Sequence, residues 1–199
     1  MREFWDARYE VEEFVYGKEP NRFLSGELIK MNPGRILLPG EGEGRNAVFA
    51  ASLGWKVDAI DQSQRGAKKA LQFARDHNLT INYRVSSIET VSLSKETYDV
   101  VGIVFVHLPP FLRTVVHSNL VDSLKPGGRV ILEAFHRSQL GRSSGGPQSE
   151  NMLYTAPMLL NDFKNLEVFQ LQEIETELDE GVFHQGNARV VRYIGFKPA

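Results

Sequence analysis

The chain has 199 residues, a formal net charge of −2 and no cysteine. One domain's worth of sequence is implied, and the near-balanced charge, with no long basic run, excludes the broad electrostatic footprint of a nucleic-acid binder. The missing cysteines exclude disulfides, thiolate nucleophiles and cysteine-based zinc sites, and no stretch reaches the ~20 apolar residues of a membrane helix.

In chain order, residues 4–16 are predicted as a short helix ending at Gly17, and residues 21–31 as a second, stopped by Pro33-Gly34. A first strand over 35–38 runs into Gly40, Gly42 and Gly44, directly before a helix over 45–53. Without a Cβ the backbone turns sharply there and lies close to a bulky ligand. The helix start offers free N–H groups to an anionic group. Strand two, 56–60, delivers Asp61, placed to accept hydrogen bonds from the vicinal hydroxyls of a ribose. A glycine loop followed by a ribose acid is the pattern of a nucleoside-containing cofactor.

A helix over 64–77 and a strand over 81–85 come next. The nearly unbroken apolar run 99–105 reads as a central strand covered on both faces. A helix over 109–124, with prolines at its tolerated start, leads through Lys125-Pro126-Gly127-Gly128 to a strand over 129–135. Residues 139–151 are polar and rich in glycine and serine, hence loop. Thr155 caps a helix whose first turn holds Pro157. Residues 166–178 and 182–196 read as a hairpin joined by Asp179-Glu180-Gly181. Alternating strands and helices predict an α/β fold: a three-layer, doubly wound Rossmann-like sheet, mostly parallel, with a C-terminal antiparallel hairpin. The whole chain, 1–199, is read as one domain, with 1–32 as an N-terminal helical lid.

The glycines are spaced Gly-x-Gly-x-Gly, not the Gly-x-Gly-x-x-Gly suited to a pyrophosphate. With Asp61 and the turn Leu124-Lys125-Pro126-Gly127-Gly128, the region 36–135 resembles the class I S-adenosylmethionine (SAM) dependent methyltransferases. A tighter resemblance lies outside it, in Phe14-Val15-Tyr16-Gly17, Pro20-Asn21, His107-Leu108-Pro109-Pro110, Gly145-Gly146-Pro147, Met152-Leu153-Tyr154-Thr155, and Glu180-Gly181 with His184 and Gly186. These are similar to a bacterial group of small-molecule methyltransferases described as tellurite-resistance-like or thiol-methyltransferase-like. The resemblance implies SAM as cofactor, a cytoplasmic setting, and a small-molecule acceptor such as a thiol or a chalcogen oxyanion like tellurite. It implies cofactor contacts from Tyr16, Asn21, Gly40, Glu41, Gly42, Gly44, Asn46, Asp61, Gln62, Ser87, Ile88 and Phe105.

Two positions depart from the broader pattern. Leu38 stands where most relatives carry an acid near the cofactor's amino group, which leaves a backbone carbonyl or Glu41 to take that role. Ser87 stands where many carry an aspartate for the adenine, and serine still accepts a hydrogen bond. His107 follows the fourth strand, at the cleft edge, where a histidine takes a proton from an acceptor or orients it; the alternative is a structural histidine bonded to a backbone carbonyl. His184, near the hairpin turn, is assigned to the substrate side by the resemblance. Arg113 is a candidate for an anionic acceptor or simply a surface charge. Tyr16, in the lid, is placed to face a sulfonium with its ring. The histidines are scattered, so no metal site is expected. Two other classes stay open: a nicotinamide-linked oxidoreductase, and a SAM-binding module without turnover. Oligomeric state is not legible.

Overall fold

The computed structural model describes residues 2–199. Its elements are α1 (Arg2–Arg8), α2 (Arg22–Leu28), β1 (Arg35–Pro39), α3 (Arg45–Ser52), β2 (Lys56–Asp61), α4 (Gln64–Asp76), β3 (Asn82–Val85), β4 (Tyr98–Val104), α5 (Pro110–Ser123), β5 (Leu124–Phe135), α6 (Ala156–Asp162), β6 (Glu167–Asp179) and β7 (Gln185–Phe196). The seven strands form one sheet in the order β3-β2-β1-β4-β5-β7-β6. The first five run parallel, and β7 pairs antiparallel with both β5 and β6. This is the α/β sheet with an antiparallel terminal hairpin that the strand–helix alternation predicts. Strand order reverses between β1 and β4, which opens a crevice at their carboxyl ends.

The period-2 pleat divides the core between the two faces. Ile36 and Leu38 of β1 join the helix α2–α3 side with Leu24, Leu28 and Ala47. Leu37, between them, joins the α5–α6 side with Val116, Leu120 and Leu159. Both sets are nearly inaccessible to water, as befits a parallel sheet covered on both faces. Among the described residues, no helix is long and apolar enough to cross a membrane.

The N-terminal helix is shorter than expected, ending at Arg8 instead of near Tyr16. The physical reason lies in the next residues, whose backbone is claimed by side chains. Val15 N donates to the Glu43 carboxylate at 2.9 Å, and the Glu13 carbonyl accepts from Lys69 Nζ at 2.7 Å. Those bonds replace a helical ladder and draw the segment across the glycine loop. The second helix begins at Arg22, capped by Asn21, whose Oδ1 accepts from Leu24 N. At the other end of the chain, the β6–β7 connection is longer than the three-residue turn expected. Residues 180–184 form it, closed by Glu180 N donating to the His184 carbonyl.

Candidate active site

At the crevice, Gly40, Gly42 and Gly44 all take the left-handed conformation. A Cβ on Gly42 would lie 2.5 Å from the Tyr9 hydroxyl, and one on Gly44 2.5 Å from the Ala70 methyl carbon. Those two glycines are therefore demanded by Tyr9 of the N-terminal segment and by Ala70 of α4. Only Gly40 of the three borders open space, which corrects the expectation of direct ligand contact for Gly42 and Gly44.

Two cavities open here. The smaller, about 100 Å³, lies against Asp61, Gln62, Ser87, Ile88, Val106 and Leu108. The larger, about 560 Å³, is walled by Tyr16, Glu41, Asn46, Phe135, Phe183 and His184, among others. That volume is ordinary for a small-molecule site. Trp5, Tyr9, Gly40, Phe105 and His107 border both, so the two are one cleft pinched at its middle. Trp5 and Tyr9 supply the pinch from the N-terminal segment; their rings stack 5.7 Å apart. Their i, i+4 spacing on a short helix was the only signal in the sequence for them.

Asp61 sits at the carboxyl end of β2 as expected. Its Oδ1 accepts from Ser63 N at 2.8 Å and its Oδ2 from Gly42 N at 3.1 Å. Burial pushes its carboxyl up, and these two N–H donors partly offset that. Ser87 Oγ accepts from Glu89 N at 3.2 Å and borders the smaller cavity beside Ile88.

A buried polar layer underlies the larger cavity. Arg45 donates to Glu180 at 2.7 Å and to the Tyr16 carbonyl at 3.2 Å. Asn21 lies wholly within this layer and donates to Glu133 at 2.6 Å and to Glu180 at 3.1 Å. Its expected cofactor role is therefore corrected: Asn21 caps α2 and joins two carboxylates, and it borders neither cavity. Its backbone N–H is held by Asn46 Oδ1, which does place Asn46 at the cavity wall. Burial opposes the ionised form of Glu180, but the His184 ring and the Arg45 guanidinium hold its carboxyl down at about 2.

The two candidate histidines differ. His107 Nδ1 lies 2.6 Å from the Met152 carbonyl, and its Nε2 accepts from Phe135 N at 3.2 Å. Both ring nitrogens are spent on backbone, and burial pushes its pKa down to about 4. His107 is thus a structural clasp between β5 and the 149–153 turn, which corrects its expectation as a base. His184 has an aromatic cage: Tyr16, Phe105 and Phe135 have ring centroids at 4.7, 4.6 and 5.1 Å. Its Nδ1 lies 3.6 Å from Glu180 Oε2, too far for a hydrogen bond and close enough for electrostatic orientation. Burial lowers its pKa, with Glu180 opposing. Phe105 reaches this cage from a left-handed backbone conformation, φ 51°. For a bulky residue that geometry costs energy and is held by its surroundings.

Arg113 is corrected as well. Its guanidinium donates to Asp162 at 2.6 and 3.3 Å, and His117 Nδ1 shares the same carboxylate at 2.9 Å. This buried cluster joins α5 to α6 and borders neither cavity. Among the described residues, no group of three or more histidine or acidic side chains is arranged to hold a metal ion.

Residues 36–128 match a family described as a methyltransferase domain. The ubiquinone biosynthesis O-methyltransferase of Rickettsia akari is 32% identical over 147 residues, covering 72% of this chain and 57% of that protein. Its counterpart in Rickettsia bellii is 30% identical over 152 residues, covering 73% and 62%. In sequence and in fold the chain is similar to SAM-dependent methyltransferases. It spans less than two thirds of the length of those relatives. The fold is shared with the methyltransferase NodS of Bradyrhizobium japonicum, solved with S-adenosylhomocysteine, at TM-score 0.75 and 14% identity over 100% of this chain and 98% of that one. TehB of Haemophilus influenzae matches at TM-score 0.72 and 17% identity, over 98% of this chain and 66% of that one.

SAM is the cofactor that this similarity implies, and the residues present suit it. The smaller cavity offers Asp61 for a ribose and Ile88 and Leu108 as apolar cover for a base. The larger cavity continues from it with aromatic rings suited to a sulfonium.

Proposed function

We propose that the chain transfers a methyl group from SAM to a small molecule presenting a thiol or a phenolic hydroxyl. The carrying observation is the 560 Å³ cavity, continuous with the nucleoside cleft and walled by Phe4, Phe105, Phe135, Met152 and Phe183. Such walls suit a flat, largely apolar acceptor. The cofactor supplies a methyl group already activated on a sulfonium, so the protein's work is alignment and exclusion of water.

In this reading the smaller cavity holds the nucleoside, with Asp61 on the ribose and Gln62, Ser87 and Ile88 around the base. The N-terminal segment, with Trp5, Tyr9 and Tyr16, acts as the lid. His184 takes the acceptor's proton on Nε2, which makes no hydrogen bond to the described residues. Glu180 keeps Nδ1–H turned toward itself and stabilises the charged ring that results. Burial lowers the His184 pKa and so favours the neutral ring that can accept a proton.

A chalcogen oxyanion such as tellurite is the second reading. Arg8 favours it: this cation borders the larger cavity, lies 3.9 Å from the Phe183 ring centroid and makes no ion pair with the described residues. TehB, among the structural neighbours, points the same way.

The test is a SAM turnover assay with catechols, aromatic thiols, tellurite and selenite, following S-adenosylhomocysteine release. Turnover on catechols or thiols supports the first reading, and turnover on the oxyanions alone supports the second. SAM binding with no turnover on any class would leave a SAM-binding module.

A further inference from the structure

The charged side chains that border the larger cavity are Arg8, Glu41, Glu43 and Arg45. Arg45 is paired with Glu180 at 2.7 Å, and Glu43 with Lys69 at 2.7 Å. Glu41 accepts from Ala47 N at 2.7 Å and from Asn46 Nδ2 at 3.3 Å. Arg8 is the exception. It makes no ion pair with the described residues, and its guanidinium donates only to the Tyr16 hydroxyl, at 3.4 Å.

The Arg8 guanidinium is nonetheless held in place. It lies over the Phe183 ring, 3.9 Å from the centroid, and over the Phe4 ring at 5.0 Å. Two aromatic faces attract the cation and fix its position on the cavity wall. A guanidinium carries five N–H donors in one plane, so most of them are left for a ligand. Tyr16 links this cation to the proposed base: its hydroxyl meets Arg8, and its ring centroid lies 4.7 Å from that of His184. Burial lowers the His184 pKa, and the Arg45 and Arg8 charges add to that, so the Arg8 charge is felt at the ring.

We propose that Arg8 sets the specificity of the acceptor site by binding a carboxylate on the acceptor, at the end away from the methylated thiol or hydroxyl. This rests on the larger cavity being the acceptor site, and it adds the acceptor's charge: an aromatic acid, not a neutral phenol or thiol. The anion on Arg8 is a handle and not the atom methylated. The planar fork of a guanidinium matches the two oxygens of a carboxylate, while the apolar walls take the ring. An acceptor with its nucleophile at His184 extends along Tyr16 to Arg8.

The test compares acids with their amides, which keep the shape and remove the charge. The pairs are protocatechuate (a dihydroxybenzoate) and its amide, and para-mercaptobenzoate and its amide. Two quantities are read at neutral pH: KM in SAM turnover, and Kd for the protein–S-adenosylhomocysteine complex by calorimetry. Wild-type protein should favour the acid over its amide by at least about tenfold in the pair it accepts. Arg8→Gln should bring that ratio to within about twofold of one, and Arg8→Lys, which keeps the charge and loses the fork, should restore about threefold or more. A purely structural role for Arg8 would weaken acid and amide together and leave the ratio unmoved.

A wild-type ratio near one overturns the proposal, as does a tenfold ratio that survives in Arg8→Gln. Acids bound with the expected ratios but never methylated would support Arg8 and defeat the methyl-transfer reading. If no acid or amide binds the complex, the acceptor reading and the proposal fall together.

Discussion

The smaller cavity draws most of its walls from the ends of β2 and β3 and the turn after β4, within residues 60–108. The larger one is assembled from residues 4–17, 40–46, 104–107, 135–152 and 182–184. The first is a product of consecutive βα turns, where the chain itself fixes each side chain's place at the sheet edge. The second exists only after the N-terminal segment, the 143–148 loop and the hairpin tip close on one another. On the proposed reading, nucleoside recognition is built into the sheet and acceptor recognition into its coverings.

The comparison is broken most severely at His184. Glutamine there should lower turnover by about 10²–10⁴-fold, while S-adenosylhomocysteine affinity stays within about twofold. Single-turnover kinetics and calorimetry on one preparation separate the two. A parallel loss of affinity would mean that the two ends of the cleft are not independent. Arg113→Ala should act on neither end. It strands the Asp162 carboxylate, whose side chain is wholly buried, with only His117 as partner. Loss of one partner of a buried pair costs about 3–5 kcal/mol, read by urea denaturation, and nucleoside affinity should hold.

Legibility in the sequence follows the same division. The glycine spacing and Asp61 are local signals, so strand, loop, helix and acid were readable within twenty-odd residues of one another. The sheet order follows from strand–helix alternation. Arg113 was misplaced because position on a helix says nothing about a carboxylate 49 residues away. His107 was read as a base because its partners, Met152 O and Phe135 N, belong to a turn and a strand end that no local pattern connects to it. The glycines at 42 and 44 were correctly noticed for the wrong contact: Tyr9 and Ala70 crowd them, and a ligand need not. Glu180 stood only as part of a motif, although it bonds Arg45, 135 residues away.

A smaller effect sharpens the nucleoside side. Asp61→Asn keeps one acceptor and loses the charge that a ribose hydroxyl donates to. Charge-assisted hydrogen bonds contribute about 1.5–3 kcal/mol, so methylthioadenosine should bind roughly 10- to 100-fold more weakly. An unchanged dissociation constant would remove Asp61 from the ribose site.

The smallest effect lies in the pH dependence of stability, and it again sets the two regions against each other. His107 is about 4 in the fold and near 6.5 when free, so the unfolded chain binds the extra proton between those values. Its contribution is complete above pH 6.5 and is lost as pH falls from 6.5 to 4. Glu41 has the opposite sign: its folded carboxyl, at about 7, holds a proton that the unfolded chain releases above 4.5. Stability from Glu41 therefore grows as pH falls from 7 to 4.5, over nearly the window in which His107 loses its own. Glu180, at about 2, adds a loss only below 4.5. Melting temperatures of wild type and Glu41→Gln, taken from pH 7.5 to 4.5, isolate the loop carboxyl from every other group. The difference should widen in favour of wild type as pH falls, because only wild type gains the Glu41 proton. A constant difference would mean that Glu41 is ionised in the free protein, and that its carboxylate already has a counter-charge in the cavity wall.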